Sequence, residues 1–392
     1  MAWTLKDIKK RIVYFENKLK HEKNPNKRRD LKETISSLNG VIEYFQEEYD
    51  YSLPSFNEVR TLDKNFITSY HKLFPYILNF ADNFSEEEID FITSLKKDKR
   101  ISAPKIMTVT KDFYDSIKDT RFTKPFLDMY ANHRFYVNFR PANKHNTKDN
   151  TAITFNIYNS PEIFLLVNYS KNINDYLALI HEYAHAISCR INRFYTVDFG
   201  KYLFNETDGI FFEMIANEEL AKNEENEIDS LVIDLDRFFD YALNAVLVQA
   251  KVELYTTIDH NPKMRRSDMI KFLKVDQRLT KEDIQEVLHK EMYKLFNYAM
   301  SYLLAIELVL LYRIDAKKAL DALYELISLS GKSSVEHLKM LKNKYGIVPG
   351  ANTHVYFQEL KTRVEGMKND KKVQYTIKWF RIPTWYAICV WW

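Results

Sequence analysis

Glycine and proline are too rare in this chain to support a fold made of many short strands. Its 392 residues include 7 glycines and 10 prolines. Sandwiches and barrels place a turn after almost every strand, and most of those turns depend on these two residues. The scarcity therefore predicts a mainly helical protein. Hydrophobic residues make up 46% of the chain and charged residues 28%, which is typical of a soluble globular protein with a substantial core.

The charge and cysteine content argue against several classes of partner and compartment. With 57 basic and 54 acidic residues, the formal net charge of +3 gives no reason to expect a nucleic-acid partner. The two cysteines, Cys189 and Cys389, cannot form a disulfide framework and indicate a reducing compartment. The apolar run AMSYLLAIELVLLY (299–312) is shorter than a membrane span and predicts a central buried helix. The N-terminus lacks an apolar signal core, so we expect a cytoplasmic protein without a membrane partner.

Three regions follow one another along the chain. Apolar residues repeat at helical spacing on both sides of the turn signal KNPNK, which predicts a helical hairpin within residues 1–60. Residues 61–350 are mainly helical in pattern, and Ser85, which precedes three glutamates, predicts a capped helix start there. Between 135 and 170 the strings FYVNFR and TAITFNIYNSPEIFLLVNY predict two or three strands. Residues 351–392 form an aromatic-rich tail.

The stretch LALIHEYAHAIS (177–188) carries the strongest chemical signal in the chain. On a helix, His181 and His185 lie on one face, and their imidazole nitrogens can converge on one Zn²⁺ at about 2.0–2.1 Å. Glu182 lies about 100° further round the helix, where it can accept a proton from a metal-bound water without taking a coordination position. The pattern predicts a zinc site with Glu182 as general base. A chance match on an ordinary buried helix is the alternative.

A third ligand is needed, because a catalytic zinc usually has three protein ligands and one open position. In NETDGIFFEMIANEEL (205–220), Glu213 lies inside an apolar run. A carboxylate is costly to bury unless it is paired or bound to a metal. Glu213 is therefore the predicted third ligand, and an unrelated salt bridge is the alternative. Cys189, one turn beyond His185, is predicted to be a small buried hydrophobe.

These strings resemble a known family. SPEIFLLVNYSKNINDYLALIHEYAHAIS is similar to the strand, loop and zinc helix of oligoendopeptidase F, which belongs with thimet oligopeptidase among the zinc oligopeptidases. The resemblance continues in order through TDGIFFEMIANEE, LVQAKVELY, YKLFNYAMSYLLAIEL and LYELISLSGKSSVEHLKMLKNKYGI, and covers roughly residues 150–350. Glu213 falls on the position of the family's third ligand.

The resemblance implies a mainly helical zincin-type fold with a small sheet beside the zinc helix and a channel for short peptides. Residues 151–170 would include the edge strand that pairs with the substrate backbone. The family's oxyanion-stabilising tyrosine matches Tyr298, with Tyr302 as a weaker alternative, and His289 could fill the role of its histidine. The motif begins earlier here than in full-length members. This shortened N-terminal helical region predicts a more open cleft, or a homodimer that closes it.

The sequence therefore predicts a zinc-dependent endopeptidase that binds one Zn²⁺ and acts on short peptides. Two other functions stay open. A zinc carboxypeptidase of similar helical build would trim peptide ends instead of cutting internally. A peptide-binding homologue could keep the zinc-site residues without turnover, although a pure binding site has no need of Glu182 as general base.

Overall fold

The computed structural model of the chain describes residues 5–45, 74–81, 83–95, 101–132, 134–141, 152–157, 162–169, 171–192, 204–261, 263–276, 279–289, 292–328 and 334–369. The chain forms two compact units. Unit 1 comprises residues 1–52, 98–198 and 323–330, and unit 2 comprises residues 53–97, 199–322 and 331–392. Both units are discontinuous in sequence, so each is assembled from segments that are far apart along the chain.

The N-terminal hairpin of unit 1 confirms the sequence prediction for that segment. It consists of α1 (Leu5–His21) and α2 (Pro25–Phe45). Asn24 begins α2 as its cap, because its side-chain oxygen accepts hydrogen bonds from the backbone N–H groups of Asn26 at 3.0 Å and Lys27 at 3.3 Å. Pro25 follows at the first helical position, where its missing N–H costs nothing. The turn signal in the sequence is thus also the start signal of the second helix.

Three strands form the sheet of unit 1, as predicted. They are β1 (Phe135–Pro141), β2 (Ala152–Asn156) and β3 (Ile163–Tyr169), in the spatial order β1-β3-β2. β1 runs parallel to β3, and β2 runs antiparallel to it. β3 is therefore the central strand. Among the described strands, β2 has a partner on one side only.

Helices cover both faces of this sheet. Phe155, Ile157 and Phe164 pack with buried residues of α1 and α2 in one hydrophobic cluster, so the hairpin covers one face. The helix α7 (Ile173–Asn192) contacts β2 and β3 from the other side. Two further helices, α5 (Ala103–Ser116) and α6 (Thr120–Ala131), pack on α7 and complete the layers of unit 1. The sheet thus lies beside the helix that carries the histidine pair, as predicted.

Unit 2 is described as helices only. In chain order they are α3 (Phe74–Ala81), α4 (Glu86–Ser94), α8 (Thr207–Ala221), α9 (Glu227–His260), α10 (Arg266–Leu273), α11 (Lys281–His289), α12 (Met292–Ile314), α14 (Ser334–Met340) and α15 (Thr353–Asn369). α13 (Ala316–Ser328) runs across the boundary between the two units. α8, α9 and α12 pack against one another and form the centre of the unit. The predicted cap of α4 is confirmed, because Ser85 and Glu88 make a reciprocal capping box with bonds of 2.8 and 3.2 Å.

The central buried helix is longer than the sequence suggested. α12 extends from Met292 to Ile314, and its segment Leu295–Ile314 is long and apolar enough to cross a membrane by length and composition. The prediction that the run is too short for a membrane span was therefore wrong in length, because the helix begins seven residues before the string 299–312. Within the unit, 78% of the segment is buried, as expected for a core helix.

The regional boundaries at residues 60 and 350 stay predictions. The tail region begins with α15, and residues 370–392, with four of the five tryptophans, lie outside the described residues.

Candidate metal centre

The two predicted histidine ligands lie together on α7. His181 and His185 are both half-buried, and their Nε2 atoms are 3.0 Å apart. The two rings meet edge to face, with centroids 4.7 Å apart and an angle of 88° between their planes. The four-residue spacing places both side chains on the same helix face, and the edge-to-face arrangement lets both nitrogens point to one place.

This nitrogen pair fits a divalent metal ion. Two ligands held tetrahedrally at about 2.0–2.1 Å from Zn²⁺ lie roughly 3.3 Å apart, close to the separation observed here. Neutral imidazole is also the commonest protein ligand for such ions. The chemistry of the donor set and its spacing therefore agree with a metal cofactor, and the identity of the metal is a separate question.

Glu182 points from α7 toward the sheet. Its residue is 7% exposed, and its carboxylate Oε2 hydrogen-bonds the hydroxyl of Thr154 on β2. The same hydroxyl lies 3.0 Å from the backbone carbonyl oxygen of Glu182. A buried carboxylate is stable only where donors satisfy it, so this contact keeps the predicted general base in place.

Aromatic residues of α5 and α6 pack against α7. Tyr114 of α5 is fully buried and donates a 2.8 Å hydrogen bond to the carbonyl of Ile180, the residue before the first histidine. Phe126 of α6 stacks on Tyr114 and meets Tyr183 edge to face at 5.3 Å. Burial raises the pKa of Tyr183 well above its ordinary value, so its phenol stays neutral in the core. These contacts hold the helix that presents the histidines.

Glu213, the predicted third ligand, lies in unit 2 on α8. It is 9% exposed, and its carboxylate forms an ion pair with Arg237 of α9. This ion pair is the alternative that the sequence left open for the buried carboxylate. Its role as a metal ligand stays a prediction, because an ion pair also accounts for its burial.

Sequence reasoning missed the surroundings of this carboxylate. Arg237 lies in the string VIDLDRFFDY, in which four of ten residues are charged, so the pattern does not single out its guanidinium as the partner of Glu213. Tyr241, one turn further along α9, is also buried, and desolvation raises the pKa of its phenol well above 10, with the charges of Glu213 and Glu206 adding to the effect. Glu206 occupies the N-cap position of α8 without a side-chain cap hydrogen bond, and it lies two helical turns before Glu213, hence on the same helix face.

The predicted oxyanion donors occupy two helices of unit 2. Tyr298 lies in the first third of α12 and is half-buried. Tyr302, the weaker alternative, is 2% exposed and stacks on Tyr241 with ring centroids 4.2 Å apart. Desolvation raises the pKa of Tyr302 far above its ordinary value, as expected of a core residue. His289 is the last residue of α11, and its side chain lies outside the described residues.

Cys189 is half-buried on the last turns of α7, so the predicted fully buried thiol is partly exposed.

Comparison with solved structures shows the architecture to be a known one. The chain aligns with PZ peptidase A, solved with an inhibitor, at a TM-score of 0.56 and 14% identity, covering 88% of this chain and 70% of that one. A Bacillus anthracis str. Ames protein assigned as an oligoendopeptidase F gives a TM-score of 0.53 and 14% identity, covering 89% of this chain and 64% of that one. The fold is that of the oligoendopeptidase F peptidases. The predicted mainly helical, zincin-type fold is therefore confirmed.

A peptidase structure from Chlamydophila abortus aligns with this chain at a TM-score of 0.56 and 14% identity, covering 85% of this chain and 60% of that one. The chain thus spans less than two thirds of the Bacillus and Chlamydophila proteins. No protein-family model matches the sequence, and no curated protein matches it. At this identity the likeness is one of fold, and activity has to be argued from the residues.

Proposed function

We propose that the protein is a zinc-dependent endopeptidase that hydrolyses internal bonds of short peptides in the cytoplasm. The observation that carries the proposal is the histidine pair of α7, with Nε2 atoms 3.0 Å apart and a buried glutamate between them in sequence. Two converging imidazole nitrogens with an adjacent glutamate are the donor set and general base that a catalytic zinc site requires. The peptidase fold of the structural neighbours supports the same reaction class.

His181 and His185 would hold the metal, with a carboxylate of the α8 segment as third ligand. Glu213 is the proposed one, on its position in the sequence and on the family resemblance. Glu206 is a second candidate, because it lies on the same face of α8 and Glu213 is already paired with Arg237. The bound metal would supply Lewis acidity to the scissile carbonyl and to the attacking water.

The chain's own groups would carry the protons and orient the substrate. Glu182 would accept a proton from the attacking water and deliver it to the leaving amine. Tyr298, with His289 as its proposed partner, would donate a hydrogen bond to the oxygen that becomes negative in the transition state. β2, with its single strand partner among the described strands, is the edge against which an extended peptide would pair.

A mixed pool of short peptides, incubated with the zinc-loaded protein and read by mass spectrometry, tests the proposal. We expect internal cuts that disappear in Glu182→Gln, which keeps the size of the side chain and removes its basicity. Cuts confined to peptide ends would mean that the protein is a carboxypeptidase and not an endopeptidase. An untouched pool, with zinc bound to both proteins, would replace it with a peptide-binding function.

The third ligand is tested by zinc content after dialysis. Glu213→Gln should lower the zinc retained to well below one ion per chain, whereas the matched control Glu219→Gln, an exposed position on the same helix, should leave it unchanged. If Glu213→Gln retains zinc and Glu206→Gln loses it, the ligand is Glu206.

A further inference from the structure

Thr154 is placed beside Glu182 by the register of the sheet. It lies opposite Leu165 in the antiparallel pair of β2 and β3, while the next residue, Phe155, lies opposite Phe164. Phe155 and Phe164 pack into the hairpin cluster, so side chains alternate and Thr154 points to the other face, toward α7. A shift of β2 by one residue would exchange these faces. The burial of Phe155 and Phe164 thus fixes the position of the threonine hydroxyl.

The hydroxyl contacts Glu182 at two atoms. It hydrogen-bonds carboxylate Oε2 and lies 3.0 Å from the backbone carbonyl oxygen of the same residue. The single hydrogen of the hydroxyl is donated to the carboxylate, which joins the side chain of Glu182 to a strand 28 residues away in sequence. Threonine is β-branched and has restricted χ1 rotation, so the hydroxyl itself is held in place.

The chemistry of this contact suits a carboxylate. An ionised carboxylate only accepts hydrogen bonds, and the threonine O–H can donate to it. Valine, with the same shape, has no hydrogen to donate.

We propose that Thr154 is a positioning residue for Glu182: it holds the carboxyl group in the orientation from which it takes and returns a proton. This inference rests on the proposed endopeptidase function. Thr154 acts only through Glu182 and does not itself contact the reacting atoms. Its removal should therefore slow the chemical step and leave substrate binding and metal binding intact.

The test compares three variants of the full-length zinc-loaded protein on one peptide that the wild type cuts. Thr154→Val should lower kcat about 10- to 100-fold, the loss typical when a group that orients a catalytic side chain is removed. KM and zinc content should stay within about twofold of wild type, because neither depends on Glu182. Thr154→Ser, which restores the hydroxyl, should recover kcat to within a few-fold. Thr108→Val is the matched control and should change nothing, because Thr108 is an exposed threonine of α5 whose hydroxyl bonds the carbonyl of Pro104 in the same helix.

A crystal structure of Thr154→Val provides a readout that does not depend on turnover. The carboxylate of Glu182 should leave its wild-type position or occupy several, with the backbone of α7 unchanged. If the valine variant fails to fold, Thr154→Ala takes its place in both measurements.

The outcomes separate this inference from the proposed function. A wild type that cuts no peptide overturns both. The positioning role alone is overturned if the wild type cuts the peptide and Thr154→Val has an unchanged kcat. It is also overturned if Thr154→Ser loses as much kcat as Thr154→Val. If Thr154→Val changes KM or zinc content instead of kcat, Thr154 maintains the structure of the site, and the positioning role is overturned as well.

Discussion

Removing Arg237 should destabilise the α8–α9 interface strongly. The side chains of Glu213 and Arg237 are 12% and 15% exposed and form a direct ion pair. Breaking a buried pair by removing one partner typically costs about 3–5 kcal/mol, because the remaining charge loses its ion pair. Nη1 of Arg237 has no hydrogen-bond partner among the described residues, so we place Arg237→Met at the lower end, about 3 kcal/mol. The double variant Arg237→Met/Glu213→Gln removes both charges and should lie within about 1–2 kcal/mol of wild type.

Hydrogen exchange by mass spectrometry is the suitable assay, since a chain of two compact units need not unfold in one transition. A loss of about 3 kcal/mol corresponds to roughly 100-fold faster exchange of the most protected amides in α8 and α9. The protein should be metal-free, so that any contribution of a metal to Glu213 is excluded. Less than tenfold faster exchange in Arg237→Met, or a double variant as unstable as the single one, would refute the reasoning that these two charges depend on each other.

Three smaller perturbations test other contacts. Tyr114→Phe removes the hydrogen bond to the carbonyl of Ile180 and should cost about 1 kcal/mol, measured as faster exchange in α7, whereas unchanged exchange would mean that ring packing alone anchors the helix. Burial raises the pKa of Glu307 despite its bonds from Asn352, so its contribution to stability is largest below its ordinary pKa of 4.5 and decreases as pH rises through the raised folded-state pKa. The Tm of Glu307→Gln should therefore rise relative to the Tm of the wild type as pH increases across that window. A difference in Tm that does not change with pH would contradict the raised pKa. Ser85→Ala should cost about 1 kcal/mol by loss of the α4 cap, with faster exchange confined to that helix.

Patterns that act over a few residues were readable from the sequence. The capping residue Ser85, the turn before Pro25 and the i,i+4 histidine pair depend only on near neighbours, and each lies where it was expected. Burial of a charge in an apolar string is also a local signal, and the ion pair of Glu213 is the alternative that this signal left open.

Long-range pairing was not readable in the same way. The parallel pairing of β1 with β3, and the placement of β2 on the outer side of β3, are fixed by which faces the helices cover. The contact of Thr154 with Glu182 depends on that arrangement, so a single sequence gives no signal for it. The partner of Glu213 was equally hidden, because any of several basic residues in the apolar strings could have filled the role.

The order in which the chain leaves the ribosome has a consequence for the hairpin. α1 and α2 are made first, but the strand residues that their apolar faces cover come roughly 120 residues later, with a segment of unit 2 between them. At about 5–20 residues per second, this leaves the hairpin without its sheet for about 6–25 s during synthesis. During that time the hairpin helices have only each other to cover Ile8, Ile12 and Val41, and the strand side of their hydrophobic cluster stays open to solvent.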